Sequence, residues 1–155
     1  MPTPAGECAS TSPTLTPMRE STAVPTVEQL AMAAPNAGEF ATGYFDRLRR
    51  ALDGIDVTAI ARFADELAAA RREGQTVFVA GNGGSATTAT SMANDLGFDI
   101  LRKTGTVLPF RLLALTDNNA VITAVANDVG YEDVFVNQLR VHYRPGDRLV
   151  VISAS

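Results

Sequence analysis

The stretch Gln75-Thr-Val-Phe-Val-Ala-Gly-Asn-Gly-Gly-Ser-Ala-Thr-Thr-Ala-Thr-Ser-Met-Ala-Asn-Asp-Leu96 decides how the chain is read. Thr76 to Ala80 is a short, largely apolar run of strand length, and it reads as a buried strand. Three glycines and Ser85 follow, then small residues compatible with a helix. Gly81, Gly83 and Gly84 carry no side chain to hold a ligand away from the backbone. A helix starting there aims its free N–H groups and its positive dipole end at the same point. Ser85 either caps that helix or offers its hydroxyl to an anion. The combination reads as a phosphate cradle. The plain alternative is a tight strand-to-helix turn without a ligand, and the order strand, glycines, serine favours the anion site. The same letters also fit the looser dinucleotide pattern Gly81-x-Gly83-x-x-Ala86, which by itself says little.

Upstream, Phe40, Tyr44, Leu48 and Leu52 recur every four residues with Asp46, Arg47, Arg49 and Arg50 between them, which predicts an amphipathic helix ended by Gly54. Its apolar stripe serves either the core or a partner subunit. A second helix begins near Asp56 and sets Val57, Ile60, Ala61, Ala64, Leu67 and Ala68 on one face, read as core, before Gly74 stops it. Residues 1–37 are rich in Pro, Thr, Ser and Ala, with prolines at 2, 4, 13, 17, 25 and 35. Such a composition buries too little surface to order itself and reads as a flexible extension, with a transient helical turn over Val27–Ala34.

Downstream, Gly97 is expected to close the helix behind the cradle, and Ile100–Leu108 to be a loop. Phe110–Leu115 reads as a second strand, Asn118–Ala126 and Tyr131–Leu139 as helices, and Arg148–Ile152 as a third strand after the Pro145-Gly146-Asp147 turn. Strands alternating with helical patterns indicate an α/β fold built of parallel crossover units. The chain then stops at Ser155. Domains rarely finish on a buried strand with its edge open, so the sequence reads as C-terminally truncated.

The 155 residues suffice for one domain, and 46% hydrophobic residues can build its core. With 19% charged residues, a net charge of −4 and no basic run or interleaved aromatic patch, nucleic-acid binding is disfavoured. Cys8 alone supports neither an internal disulfide framework nor a cysteine zinc site. No apolar stretch approaches membrane-spanning length and the N-terminus has no apolar signal core, so no membrane partner is expected and the default location is cytoplasmic.

Gly81-Asn-Gly-Gly-Ser85 followed by a small-residue helix resembles the first phosphate motif of sugar isomerase (SIS) domains, most similarly that of phosphoheptose isomerases. Leu115-Thr-Asp-Asn118, Ala126-Asn-Asp-Val-Gly-Tyr-Glu-Asp-Val-Phe135 and Arg144-Pro-Gly-Asp-Arg-Leu-Val-Val-Ile-Ser-Ala-Ser155 extend the likeness from near Phe40 to the last residue. The resemblance implies a three-layer αβα domain with a parallel sheet of flavodoxin-like type. That domain is incomplete here, about three of five strands being present: residues 38–155 are a partial SIS domain behind the 1–37 extension. The family continues past this point with Gly-Asn-Ser and a further phosphate-binding helix.

By the same resemblance Asn82, Gly83 and Gly84 bind substrate, Ser85 helps hold a phosphate, and Ser153 and Ser155 add hydroxyls to it. Asn127-Asp128 matches a substrate-contacting Asn-Asp pair, against the alternative of a polar turn before Gly130. For Ser153 and Ser155 the alternative is ordinary strand-end polarity. Position points the same way. Asn82 to Ser85, Asp117, Ser153 and Ser155 all follow strand ends, where open parallel sheets bind ligands, and one shared pocket is expected.

Aldose–ketose isomerisation moves a proton between adjacent carbons through an enediolate and needs a base near the substrate. Asp95, on the helix leaving the cradle, is the candidate; the resemblance aligns it with a catalytic glutamate. The equal alternative is a helix-surface or interface carboxylate. The family carries a metal-ligating histidine four residues earlier, where this chain has Ser91, a poor zinc ligand. The lone His142 sits in a polar stretch and reads as a surface residue. The family's other histidine and a metal-binding glutamine would fall past Ser155. No cofactor is therefore expected from this chain, although related isomerases use zinc.

The resulting expectation is a phosphosugar-binding, phosphoheptose isomerase-like domain acting on sedoheptulose 7-phosphate or a related sugar phosphate, in a homo-oligomer, dimer or tetramer. Full length it would be an isomerase; as this truncated chain it is expected to be inactive. The alternative is a non-catalytic sugar-phosphate-binding or scaffolding module. A dinucleotide domain is disfavoured because Ser85 follows paired glycines and Asp117 lies well beyond the usual spacing of about 20 residues.

Overall fold

The computed structural model of the chain describes residues 24–154. They fall into two compact units that part after Ile55. The expectation of a flexible segment before Val24, and Cys8 with it, lies outside the described residues.

In the first unit, α1 (Val27–Ala33) packs on α2 (Ala37–Asp53). A seven-residue helix is marginal alone, and two local devices hold this one. Thr26 and Gln29 form a reciprocal cap, each side chain accepting from the other's backbone N–H at 3.2 and 2.8 Å. Leu30 sits over Gly43 of α2, where an added Cβ would stand 3.1 Å from its methyl. A regular helix therefore occupies the place where the sequence suggested a transient turn. Asn36 caps α2 by accepting from Glu39 N at 3.0 Å, and Gly54 ends it. No residue of α2 is buried; Tyr44, Phe45, Leu48 and Leu52 are all exposed.

The second unit is an α/β layer structure. Asp56 caps α3 (Val57–Arg72) through bonds from Thr58 N and Ala59 N at 2.9 and 3.1 Å. β1 (Thr76–Gly81) is buried at every position and lies between β2 (Arg111–Ala114) and β3 (Arg148–Ile152) in an all-parallel sheet of order β2-β1-β3. A central strand covered on both faces explains the unbroken apolar run. Val77 and Val79, beside Leu112, Ala114, Val150 and Ile152, face α3 and α4 (Gly84–Met92). Phe78 and Ala80 face α7 (Val134–His142) through Phe135 and Leu139. Phe78, Val77 and Val79 are fully buried, each worth roughly 1.5–3 kcal/mol relative to exposure. Helices thus cover both faces of β1, while Leu113 of β2 and Leu149 and Val151 of β3 stay exposed.

Three expectations change. The helix behind β1 does not stop at Gly97: it passes through a π-helical segment, Ala93–Asp99, into α5 (Ile100–Thr104), and ends at Gly105 with φ 61°. Asp99 explains the continuation, binding Arg102 at 2.5 Å and Lys103 one turn on. Most of the 100–108 stretch is therefore helical. The stripe of α3 is core only at its C-terminal end, where Ala70 is buried and Leu67 half-buried; Val57, Ile60 and Phe63 are exposed.

The other junctions are held by polar contacts. Asp147 accepts from Thr76 N at 2.8 Å and Arg144 N at 2.9 Å, fixing the turn before β3 against the start of β1. Buried Gln138 of α7 donates to the carbonyls of Leu115 and Val134, both at 2.9 Å, and so ties α7 to the end of β2. α6 (Asn119–Asp128) begins at the Asn118 cap, which accepts from Val121 N at 3.1 Å.

Candidate functional site

From β1 the chain crosses over to β2 on one side and then returns to β3 on the other, so the carboxyl ends of β1 and β3 form the topological switch point of the sheet. Ligands of open parallel sheets bind there. A cavity of ≈ 510 Å³ lies at this point, lined by Asn82, Gly84, Ser85 and Thr88 after β1 and by Ile152, Ser153 and Ala154 at β3.

Local backbone chemistry builds its floor. Gly81 ends β1 so close to the first turn of α4 that an added Cβ would stand 2.5 Å from the carbonyl carbon and oxygen of Ser85. Gly83 is the N-cap, at φ 55° and ψ −121°, a conformation open only to glycine. The cap carries no side-chain hydrogen bond, so Ser85 is not the cap that the sequence suggested but a residue of the first helical turn. Ser85 N donates to Asn82 O at 3.0 Å, and Ala86 N and Thr87 N to Gly83 O at 3.0 and 3.2 Å. Ser85's amide is thereby withdrawn from the set expected to meet an anion. The amides of Gly83 and Gly84 have no acceptor among the described residues. An added Cβ on Gly83 or Gly84 would meet nothing within 4 Å, so the space above them is open.

The expected site residues separate into groups. Asn82, Gly84, Ser85 and Ser153 share the cavity; Gly83, between two of them in sequence, is not part of its lining, and Ser155 lies outside the described residues. Asn127 and Asp128 end α6, where Asn127 Nδ2 donates to Asp128 Oδ1 at 2.7 Å, and neither lines the cavity. Asp117 does not join the shared pocket. It accepts from Thr90 Oγ1 at 2.5 Å in a second cleft of ≈ 390 Å³, on the β2 side of α4. Asp95 is exposed in the π-helical segment, accepts from Asn94 Nδ2 at 3.0 Å, and also lies outside the cavity lining. Ten residues of helix separate it from Ser85, roughly 15 Å along the axis.

Two further residues enter that sequence reasoning did not select. Thr88 lines the cavity one turn above Ser85, a spacing legible in Ser85-x-x-Thr88. Tyr131 donates its hydroxyl to Asn82 Oδ1 at 2.7 Å across 49 residues of sequence, which no local pattern announces.

The residues do not suit zinc. Among the described residues no three His, Cys, Asp or Glu side chains gather to hold a metal ion. On its own helix Asp95 is preceded by Ser91 and Asn94, neither a normal zinc ligand, and followed one turn on by Asp99, whose carboxylate is paired with Arg102 and Lys103. No described helix is long and apolar enough to cross a membrane.

Comparison with known proteins bears on this geometry. A family model described as SIS domain matches residues 43–155. The phosphoheptose isomerase of Rhodospirillum rubrum is 41% identical over 97 residues, 63% of this chain and 50% of that protein. That of Streptomyces coelicolor is 37% identical over 115 residues, 73% of this chain and 48% of that one. The chain spans about half the length of these curated relatives. Among solved structures, phosphoheptose isomerases of Neisseria gonorrhoeae and Francisella tularensis both superpose with a TM-score of 0.65, at 29% and 27% identity. Each covers 77% of this chain, which in turn covers 62% and 61% of them.

Proposed function

Since this chain belongs to the SIS domain family, we propose that it is the phosphosugar-binding part of a phosphoheptose isomerase-like protein, with sedoheptulose 7-phosphate or a related sugar phosphate as its ligand. The observation that carries the reading is the cavity at the β1/β3 switch point, floored by the uncapped start of α4. In this reading the phosphate takes the open amides of Gly83 and Gly84 and the hydroxyls of Ser85 and Ser153, with Ser155 adding to the same set. The positive end of the α4 dipole favours the same charge. Gly84 supports it. Neither a positive φ nor a packing contact demands glycine there, whereas close approach of a ligand to the backbone does.

Asn82, in the cavity lining, meets the sugar; Asn127 and Asp128, outside that lining, are assigned to the sugar by the family resemblance alone. The relatives named above favour an isomerase over a module that binds without turnover. Asp95, outside the cavity that takes the phosphate, is the proposed carboxylate base: it takes a proton from the carbon beside the carbonyl and returns it to the former carbonyl carbon, while the hydroxyl proton passes between the two oxygens of the enediolate. The exposed apolar residues of α2 (Tyr44, Phe45, Leu48) and, separately, of α3 (Val57, Ile60, Phe63) support a homo-oligomer that covers them. A phosphorylated sugar as substrate places the work in the cytoplasm.

Calorimetric titration with sedoheptulose 7-phosphate tests the binding reading. It predicts saturable binding that Ser85→Ala weakens, and unchanged affinity in Ser85→Ala contradicts the cradle. A turnover assay of the full-length protein tests Asp95: Asp95→Asn should abolish isomerisation and leave binding in place.

A further inference from the structure

Tyr131 is 58% exposed, so its ring is not there to fill the core. Its position is nevertheless closely determined. Val129 N and Gly130 N both donate to Val125 O, at 2.9 and 3.0 Å, which folds the chain back at the end of α6. Gly130 then takes φ 154°, and Asp133 N closes a turn on Gly130 O at 3.2 Å. Immediately after, α7 is anchored to the sheet by Phe135, Leu139 and the buried Gln138 bonds. A rigid element thus delivers the Tyr131 hydroxyl to Asn82, a residue that lines the cavity.

We propose that Tyr131 is a positioning residue of this site: its hydroxyl occupies Oδ1 of Asn82 and so presents the two Nδ2 N–H groups of that side chain to the hydroxyls of a bound sugar. An exposed asparagine otherwise samples several rotamers and both amide orientations, and offers a ligand donors and acceptors alike. With one of the two Oδ1 lone pairs taken, the amide orientation is fixed with Oδ1 toward Tyr131, and the rotamer is held from outside the cradle. Tyr131 on this account sets selectivity for a sugar phosphate over bare phosphate, because the phosphate contacts at Gly83, Gly84 and Ser85 do not pass through Asn82. The proposal rests on the phosphosugar reading above and adds to it the residue that orients the sugar-facing amide.

The test is a binding cycle on the whole chain with two probes, sedoheptulose 7-phosphate and inorganic phosphate, measured on wild type, Tyr131→Phe, Asn82→Ala and the double variant. Tyr131→Phe removes one exposed hydroxyl and should leave thermal stability unchanged. It is expected to weaken the sugar phosphate roughly 3- to 10-fold, the scale of one hydrogen bond, while inorganic phosphate binds as before. The double variant should bind no more weakly than Asn82→Ala alone, since the hydroxyl acts only through that amide. The Asn82 side-chain NH2 signals should also shift in ligand-free Tyr131→Phe. Unchanged sugar-phosphate affinity in Tyr131→Phe, an equal loss for both probes, or losses that add in the double variant would overturn the positioning role alone. A wild-type chain that binds inorganic phosphate but not the sugar phosphate would overturn the phosphosugar reading, and this role with it.

Discussion

The position a Cβ would occupy on Gly81 lies 2.5 Å from the carbonyl carbon and oxygen of Ser85, closer than any unstrained contact allows. The end of the central strand and the first turn of the helix behind it therefore touch backbone to backbone. That contact places the amides of Gly83 and Gly84 over the carboxyl end of the sheet. Gly81→Ala should push the start of α4 off β1, because the atoms it meets are main chain and cannot rotate away. The expected cost is about 1–3 kcal/mol, read as a lower chemical-denaturation midpoint, together with loss of sugar-phosphate binding. A variant with native stability and affinity would show that the turn relaxes freely.

Gly83 is held for a different reason. No atom lies within 4 Å of its missing Cβ, but its backbone sits at φ 55° and ψ −121°. Gly83→Ala should therefore cost about 1–3 kcal/mol through conformational strain alone, and it should weaken the anion site by turning the cap. Amide chemical shifts of residues 82–86 should move together in this variant. Shifts confined to position 83 would mean that the cap tolerates a side chain.

Gln138 offers a stability test remote from the cradle. Its Nε2 donates to both Leu115 O and Val134 O, and the side chain is buried. Replacing it with Leu strips the Leu115 carbonyl of that partner. The expected loss is about 1–3 kcal/mol, with α7 loosening from the sheet. Hydrogen exchange at Phe135 and Leu139 should rise with it, and exchange at β1 should rise less.

The end of α5 carries a pH signature. Hydrogen bonds from Lys103 first, then Arg102, hold the Asp99 carboxyl below the ordinary aspartate value, outweighing desolvation. The Asp99 bond and charge likewise raise Lys103. A depressed carboxylate contributes stability that is present above its unfolded-state value of about 3.9 and is lost as pH falls through the lower folded value. A raised lysine contributes stability below its unfolded value and loses it as pH climbs through the folded one. Asp99→Asn should therefore fray Ile100–Thr104 at neutral pH and match wild type in strong acid, by hydrogen exchange. Equal exchange in the two proteins at neutral pH would mean that the pairs do not hold the helix.

How far the sequence reaches is visible in particular residues. β1 was legible because a parallel strand buried on both faces is apolar throughout; β3, whose Leu149 and Val151 are exposed, was legible because Pro145-Gly146-Asp147 marks the turn between α7 and β3. α3 was legible from the apolar periodicity that begins near Asp56; the caps at Asp56 and Asn118 show in the structure why α3 and α6 start where they do. Gly97 misled, since a glycine in a helical pattern reads as a stop, whereas here the chain widens into a π-helical segment and the Asp99 ion pairs carry it on. Of the two roles the sequence left open for Ser85, cap or anion ligand, the geometry excludes the first by giving the cap position to Gly83. Proximity across the sheet was beyond reach. That Tyr131 touches Asn82, or that Asp117 turns to Thr90 on the β2 side of α4, depends on how the two crossovers stack.

A crystal structure of the chain with sedoheptulose 7-phosphate tests the central claim most directly. The phosphate is predicted on the Gly83 and Gly84 amides, within hydrogen-bond reach of the Ser85 hydroxyl, with the sugar extending past Asn82. A phosphate bound elsewhere, with the β1/β3 cavity filled only by solvent at saturating ligand, would contradict it.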